Sequence, residues 1–379
     1  MRVLIVYPHM ALYGGAELVI VELANYLTKK GIDNSILSLS VLDEIKNDLK
    51  GTDVISIKEK KPDKNGISKF INFASEAMLL RKYTHKYRKS FDVINVHNFP
   101  AEYAVFPFAK NSVWMCNEPP MQLYLMKNLS LPTRVAARIV ERFDKFLVKN
   151  YIKYSVVADE FNFKRFEKIY GIKPEIINYG IDYKFFSGGS GERVRKKFKI
   201  ENNFTLIHVG TLTPLKNQIE SIRVVEKLRN KIPNIKLVLA GWGEENYETV
   251  LRKYVKKNGL EDNVIFTGHL SRNTIRDLYK ASDVALFPIK SQGGWLSPFE
   301  ALCSKIPIIV SPFITSSDII KRNDVGVVTN NFSKAVLDVY ENRRKYDRMA
   351  KNGMDWVKEK LKWDNFSEKM LEVFEKAAY

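Results

Sequence analysis

At 379 residues the chain exceeds one ordinary hydrophobic core and suits two domains of about 150–200 residues each. With 45% hydrophobic and 27% charged residues it is neither collagen-like nor wholly disordered, and two cysteines, Cys116 and Cys303, exclude a disulfide framework or a thiolate zinc site. The net charge of +18 is spread along the chain rather than held in a tail, which leaves anionic lipid, nucleic acid and phosphorylated substrates as open partners.

The N-terminal run Val3–Tyr7 is interrupted by Pro8 and His9, so it reads as a first strand rather than a signal peptide. No apolar run approaches the roughly 18 residues that span a bilayer. A soluble cytoplasmic protein is the expectation. Ala16–Lys29 has helical apolar spacing closed by Gly31. Further strands are expected at Ser35–Leu39, Asp53–Ile57, Asp92–Val96, Val113–Cys116, Ser155–Ala158 and Glu175–Asn178, with helical stretches between several of them. Short, nearly all-apolar strands alternating with amphipathic helices define β-α-β units and a doubly wound parallel sheet.

Ser187–Gly191 (Ser-Gly-Gly-Ser-Gly) reads as the linker, after which the same alternation restarts. Strands are expected at Phe204–Val209, Ile235–Ala240, Val264–Phe266, Val284–Phe287 and Ile306–Val310. Helices are expected at Lys216–Lys231, Glu244–Lys257, Thr274–Ala281, Ser297–Ser304 and over the last stretch, Trp356–Tyr379. Two Rossmann-like halves place a ligand at the carboxyl ends of the strands, in the cleft the halves form.

Three strand-end segments could carry chemistry. Gly14-Gly15 precedes a helix start, where bare backbone and N–H groups suit an anion; a tight turn explains the pair equally well. His97-Asn98 closes the strand Asp92–Val96. Gly210–Asn217 puts Lys216 by the positive end of a helix, an unfavourable place for a cation unless a phosphate is bound. Gln292–Glu300 (Gln-Gly-Gly-Trp-Leu-Ser-Pro-Phe-Glu) opens a helix, with Ser297 as expected N-cap, Pro298 first in the helix and Glu300 three residues after the cap. Glu300 could complete a capping box, accept ribose hydroxyls, or both. There is no Walker A sequence, no Gly-x-Gly-x-x-Gly after the first strand and no Asp-x-Asp, and the five histidines are not paired.

In their order these segments resemble the family 4 retaining glycosyltransferases of the GT-B fold. The resemblance rests on Gly14-Gly15-Ala16-Glu17, Asp92–His97, Tyr170-Gly171, Tyr179-Gly180-Ile181-Asp182, Lys216-Asn217, Gly241-Trp242-Gly243, Phe266-Thr267-Gly268 and Leu278-Tyr279 with Ser282-Asp283. It implies an acceptor-binding domain of residues 1–178 plus 361–379, a nucleotide-sugar-binding domain of residues 179–360, and a terminal helix crossing back to the first. The implied reaction moves a hexose from a nucleotide diphosphate sugar to an acceptor hydroxyl with retention and without a metal or other cofactor. His97, Lys216 and Gln292 would be catalytic. Gly14, Gly15, Thr211, Lys216, Gln292, Gly293, Gly294, Trp295, Leu296, Ser297 and Glu300 would bind the donor, with Asn98, Asn117 and Glu118 on the acceptor side. Two positions depart from the family pattern: Gln292 stands where the first of two signature glutamates is usual, and Thr211 where an arginine is usual.

The stretch Arg134–Lys153 spaces Arg134, Arg138, Arg142, Lys145, Lys149 and Lys153 by three or four residues beside Val135, Ile139, Phe143, Phe146 and Leu147. A basic amphipathic helix of this kind lies on an anionic membrane surface, or its apolar stripe is simply core. The acceptor is accordingly read as a lipid-linked or other cell-surface glycan precursor, with the protein peripheral on the inner face of the membrane. Alternatives are a GT-B-like donor-binding protein with weak or no catalysis and a nucleotide-sugar epimerase, for which no proton-abstracting carboxylates can be placed. Nucleic acid is not expected, since no stacking platform or reading motif accompanies the charge.

Overall fold

The computed structural model describes residues 1–11, 13–57, 68–108, 110–120, 131–243, 245–291 and 293–379, with the backbone alone for 68–73 and 131–136. The expected catalytic Gln292 and the side chains of Arg134 and Val135 lie outside the described residues. The chain divides into two units, Met1–Gly180 with Trp363–Tyr379, and Ile181–Lys362.

The first unit is built on a parallel sheet of β1 (Arg2–Val6), β2 (Asp33–Ser38), β3 (Asp53–Ser56), β4 (Val93–His97), β5 (Ser112–Met115), β6 (Tyr154–Val157) and β7 (Glu175–Ile176). Its order is β3-β2-β1-β4-β5-β6-β7, the doubly wound arrangement, with the switch point at β1 and β4. Val3, Leu4, Ile5 and Val6 have no exposed surface, which is why this strand is apolar throughout rather than alternating. Its longer helices are α1 (Gly15–Lys29), α2 (Ser68–Tyr87), α3 (Leu131–Tyr151) and α4 (Glu160–Tyr170), together with the last helix of the chain, Trp363–Ala378, which packs on α1. Trp114, Phe166 and Tyr170 stack at 4.6–5.8 Å between ring centres at the heart of this core.

Beside that aromatic core lie two acids without exposed surface, Glu102 and Asp144. Tyr170 donates its hydroxyl to Asp144 Oδ2 at 2.8 Å. Neither oxygen of Glu102 has a hydrogen-bond partner among the described residues. Burial, reinforced by the Asp144 carboxylate, holds Glu102 well above its ordinary value of 4.5. A carboxyl raised on folding stabilises the protein fully below its unfolded value, and that contribution disappears as pH rises through the folded value. Glu102→Gln is therefore expected to add about 2 kcal/mol at pH 8, the order of an unsatisfied buried group, and almost nothing at pH 5. Urea unfolding at the two pH values measures this, and an equal change at both would contradict it.

The second unit repeats the plan with β8 (Phe204–Val209), β9 (Ile235–Ala240), β10 (Val264–Phe266), β11 (Val284–Phe287), β12 (Ile308–Val310) and β13 (Val327–Val328). All pairs are parallel in the order β10-β9-β8-β11-β12-β13. The helices that matter below are α5 (Gln218–Leu228), α6 (Arg272–Ala281) and α7 (Leu296–Cys303). Cys116 follows β5 and Cys303 ends α7; both are free and buried. Among the described residues no helix is long and apolar enough to cross a membrane.

Three expectations need correction. The Gly-rich stretch Ser187–Gly191 is not the junction, because the second unit already begins at Ile181. Its glycines let the chain lie against α6: a Cβ on Gly191 would stand 2.9 Å from Ala281 Cα. The last stretch is two helices, Arg343–Lys360 and Trp363–Ala378, separated at Leu361–Lys362, where the chain passes from the second unit to the first. The helix expected from Lys216 starts at Gln218, leaving Lys216 in the preceding turn.

Candidate functional site

In the second unit the site is shaped by glycines at strand ends. Beyond β8 and β9 the chain continues as two segments lying backbone against backbone. Gly210 N–H donates to the Ala240 carbonyl and Leu212 N–H to the Trp242 carbonyl, both at 3.0 Å. A Cβ on Gly241 would stand 2.1 Å from the Gly210 oxygen, and one on Gly243 2.1 Å from the Leu212 oxygen. Only glycine permits this approach, so Gly241-Trp242-Gly243 shapes the loop that carries Thr211 and Lys216. Thr211 itself is exposed, and its carbonyl accepts from Gln218 Nε2 at 3.0 Å.

Asn217, left-handed at φ 62°, donates Nδ2 to the Pro288 carbonyl at 2.9 Å, and Lys290 N–H donates to the Leu215 carbonyl at 2.9 Å. These bonds tie the Lys216 turn to the turn that follows β11. There Gly293 and Gly294 are left-handed at φ 71° and 77°. A Cβ on Gly294 would collide with Ile289 Cδ1 at 2.4 Å and lie 3.5 Å from Lys216 Nζ. The lysine ammonium and the bare glycine backbone thus meet at the entrance to α7, where N–H groups carry partial positive charge. Adding a cation to that end of a helix is unfavourable alone and favourable around an anion.

Helix α7 begins at Leu296 with Trp295, buried, as its N-cap. The expected N-cap Ser297 and first helical residue Pro298 therefore sit two positions deeper in the helix, and Ser297 and Glu300 form no capping box; the left-handed glycine pair turns the chain before Ser297 is reached. The Ser297 carbonyl accepts from Tyr279 Oη at 3.3 Å. Glu300 lies further along α7, partly buried; burial raises its carboxyl to about 7, against the opposing pull of the Arg272 guanidinium.

In the first unit the Gly14–Gly15 turn is held from beneath by Glu17. Its Oε2 accepts the Gly14 N–H at 3.1 Å and its Oε1 the Tyr7 hydroxyl at 3.1 Å, while Asn98 Nδ2 donates to the Tyr7 oxygen at 3.4 Å. Tyr7 and Glu17 thereby connect the ends of β1 and β4, bringing Gly14 and Asn98 together. Burial raises the Glu17 carboxyl.

His97 is the last residue of β4 and has no exposed surface, rather than standing in a loop. Asn95, two residues earlier on the same strand face, donates Nδ2 to the Val113 carbonyl at 3.1 Å and accepts from His97 Nε2 at 2.6 Å. That pairing fixes the tautomer: Nε2 carries the proton and Nδ1 keeps its lone pair, with no partner among the described residues. Burial pushes the imidazole down to about 3, so it is a neutral acceptor at working pH.

The acceptor-side residues follow β5. Asn117 accepts from Tyr179 Oη at 2.5 Å through its side chain and from Asn162 Nδ2 at 3.1 Å through its carbonyl. Asp159 caps α4, taking the Asn162 N–H at 2.7 Å, and burial raises it to about 7, with Glu118 adding to the rise. Asp159, Tyr7 and Asn95 were not singled out from sequence, and Glu17 was named only as the end of the Gly14–Glu17 motif. Two signals were present: Glu17 stands at the third helical position after Gly14, and Asn95 shares the strand face of His97.

In fold the chain is similar to solved structures of the GT-B type. It superposes on HepE of Anabaena, solved with UDP and glucose, with a TM-score of 0.79 at 15% identity over 99% of this chain and 100% of that one. Sucrose-phosphate synthase from Thermosynechococcus elongatus gives 0.79 at 14% identity over 99% and 98%. Residues 190–356, within the second unit, match the family described as glycosyl transferases group 1. A GDP-mannose-dependent alpha-(1-6)-phosphatidylinositol monomannoside mannosyltransferase of Mycobacterium tuberculosis is 23% identical over 52% of this chain and 54% of its own length. The chain thus matches about half the length of that curated relative.

Proposed function

We propose that this protein is a retaining hexosyltransferase that uses a nucleotide diphosphate sugar and needs no metal. The observation that carries the reading is the meeting of Lys216 Nζ with the Gly293–Gly294 turn at the start of α7. As the acceptor hydroxyl attacks C1, the bond from C1 to the diphosphate oxygen breaks, negative charge grows on the diphosphate, and the hydroxyl proton passes to it. Lys216 and the N–H groups of residues 293–297 would stabilise that charge without reorganising. Glu300 would accept ribose hydroxyls. Within the first unit, Gly14 and Gly15 would offer bare backbone to an anionic group, and the lone pair of His97 Nδ1 would accept a hydroxyl. Asn98, Asn117 and Glu118 would serve the acceptor, read as a lipid-linked or cell-surface glycan precursor by analogy with the mannosyltransferase relative. Thr211 and Gln292, departing from the family pattern, favour a second reading in which donor is bound with little turnover.

A thermal-shift screen with UDP-glucose, GDP-mannose and ADP-glucose, followed by transfer and hydrolysis assays, tests this. The matching donor at saturation is expected to raise Tm by about 5 °C. A shift with no turnover across acceptors would select the second reading, and no shift with any donor would remove both. Donor affinity should also depend on pH through Glu300, whose carboxyl is raised to about 7. Only the carboxylate accepts two hydroxyls, so affinity should fall about tenfold per unit below pH 7. Calorimetric titration between pH 8 and 5.5 should show that slope, flattened in Glu300→Gln.

A further inference from the structure

Helix α3 carries two apolar stripes. Ala137, Leu147 and Val148 are buried in the first unit's core, whereas Ile139, Phe143 and Phe146 stand on the outside, 64%, 37% and 47% exposed. Arg138, Arg142 and Lys149 run along the exposed stripe. The stripe continues beyond the helix: Phe143 meets Phe106 at 5.2 Å between ring centres, and Arg81 of α2 lies over the Phe106 ring at 5.4 Å. Arg81 in turn lines an open groove of about 350 Å³ with Met78, Lys82, His85 and Phe108. Met78 is 69% exposed and Phe108 46%. Arg88 lies over Phe108 at 4.6 Å. Five large apolar side chains thus form one exposed band from α2 to α3, rimmed by arginine and lysine.

We propose that this band is a docking face for an anionic membrane, the apolar side chains entering the acyl boundary and the cations lying among the lipid phosphates. A scatter of exposed apolar residues needs no explanation, but a contiguous cation-rimmed band does. Charge chooses the occupant. On the described exposed part of α3 the acid, Glu141, is tied to Lys145 at 2.7 Å, so the rim presents positive charge. A second copy docking by the same face about a twofold axis would set these cations against each other. An anionic bilayer matches both the apolar band and its rim. The docking stands on the first unit alone and does not depend on the donor reading.

The test is co-sedimentation of the full chain with phosphatidylglycerol–phosphatidylcholine vesicles and with phosphatidylcholine vesicles, alongside I139S/F143S and R138E/R142E. Wild type should bind the anionic vesicles, and more weakly as salt rises. The charge variant should lose affinity about thirtyfold or more, at roughly 1 kcal/mol for each cation removed. The apolar variant should lose a similar factor. Unchanged Tm of both variants keeps the comparison free of misfolding, and donor-induced thermal shifts, retained in both, separate this result from the fate of the donor site. Equal binding by wild type and variants, binding indifferent to lipid charge, or a dimer that the same substitutions dissociate without any vesicle binding would overturn the proposal.

Discussion

Lys216→Ala is expected to lower kcat/KM about 100-fold and to erase the donor-induced thermal shift. Lys216 Nζ lies 3.5 Å from where a Cβ on Gly294 would sit, so its charge is delivered to the glycine turn before α7. Its turn is pinned by the bonds from Asn217 to the Pro288 carbonyl and from Lys290 to the Leu215 carbonyl. A pre-positioned donor to a developing anion is worth about 3 kcal/mol, and the same figure converts to the rate loss. Lys216→Arg, which keeps the charge on a differently shaped head group, should recover part of the loss. Steady-state kinetics with the donor found by screening measure both, and a Lys216→Ala rate within threefold of wild type would displace the lysine from the mechanism.

Gly241→Ala is expected to destabilise the second unit by about 3 kcal/mol. The position combines φ +155° with a Cβ that would lie 2.1 Å from the Gly210 oxygen, so relief requires moving backbone rather than a flexible side chain. Overpacking of this kind and forced backbone strain each cost about 1–3 kcal/mol. Because the displaced segment leads directly to Thr211 and Lys216, donor affinity should fall together with the urea midpoint. Gly259, at φ +60° with nothing within 4 Å of a Cβ, is the control: Gly259→Ala carries strain alone and should leave donor binding unchanged.

The β-α-β alternation was readable because β1, β8 and β9 are buried on both faces and so are apolar nearly throughout, a local signal. Contacts between distant residues were not. Gly241 and Gly210 are far apart in sequence, and nothing near either one states that their backbones touch. Ser187–Gly191 misled for the same reason: the glycines that resembled a flexible linker are small because α6 lies against them. Ser297 followed by Pro298 is a sound local signature of a helix start, overridden by the two left-handed glycines that turn the chain earlier. In α3, spacing revealed apolar stripes but could not tell the one under the sheet from the one outside. The Lys216 and Gly14–Gly15 turns could be placed from sequence, since strand-end position needs only element order. The tautomer of His97 and the Glu17 brace could not, since both depend on partners fixed only by folding.

Both native thiols are sealed in: burial raises Cys116 and Cys303 above their ordinary values, keeping them protonated and out of reach of alkylating reagents. A single engineered cysteine at an exposed position would then be the one reactive thiol on the folded protein. The wild-type background needs no cysteine removal before a fluorescent or spin reporter is attached to it.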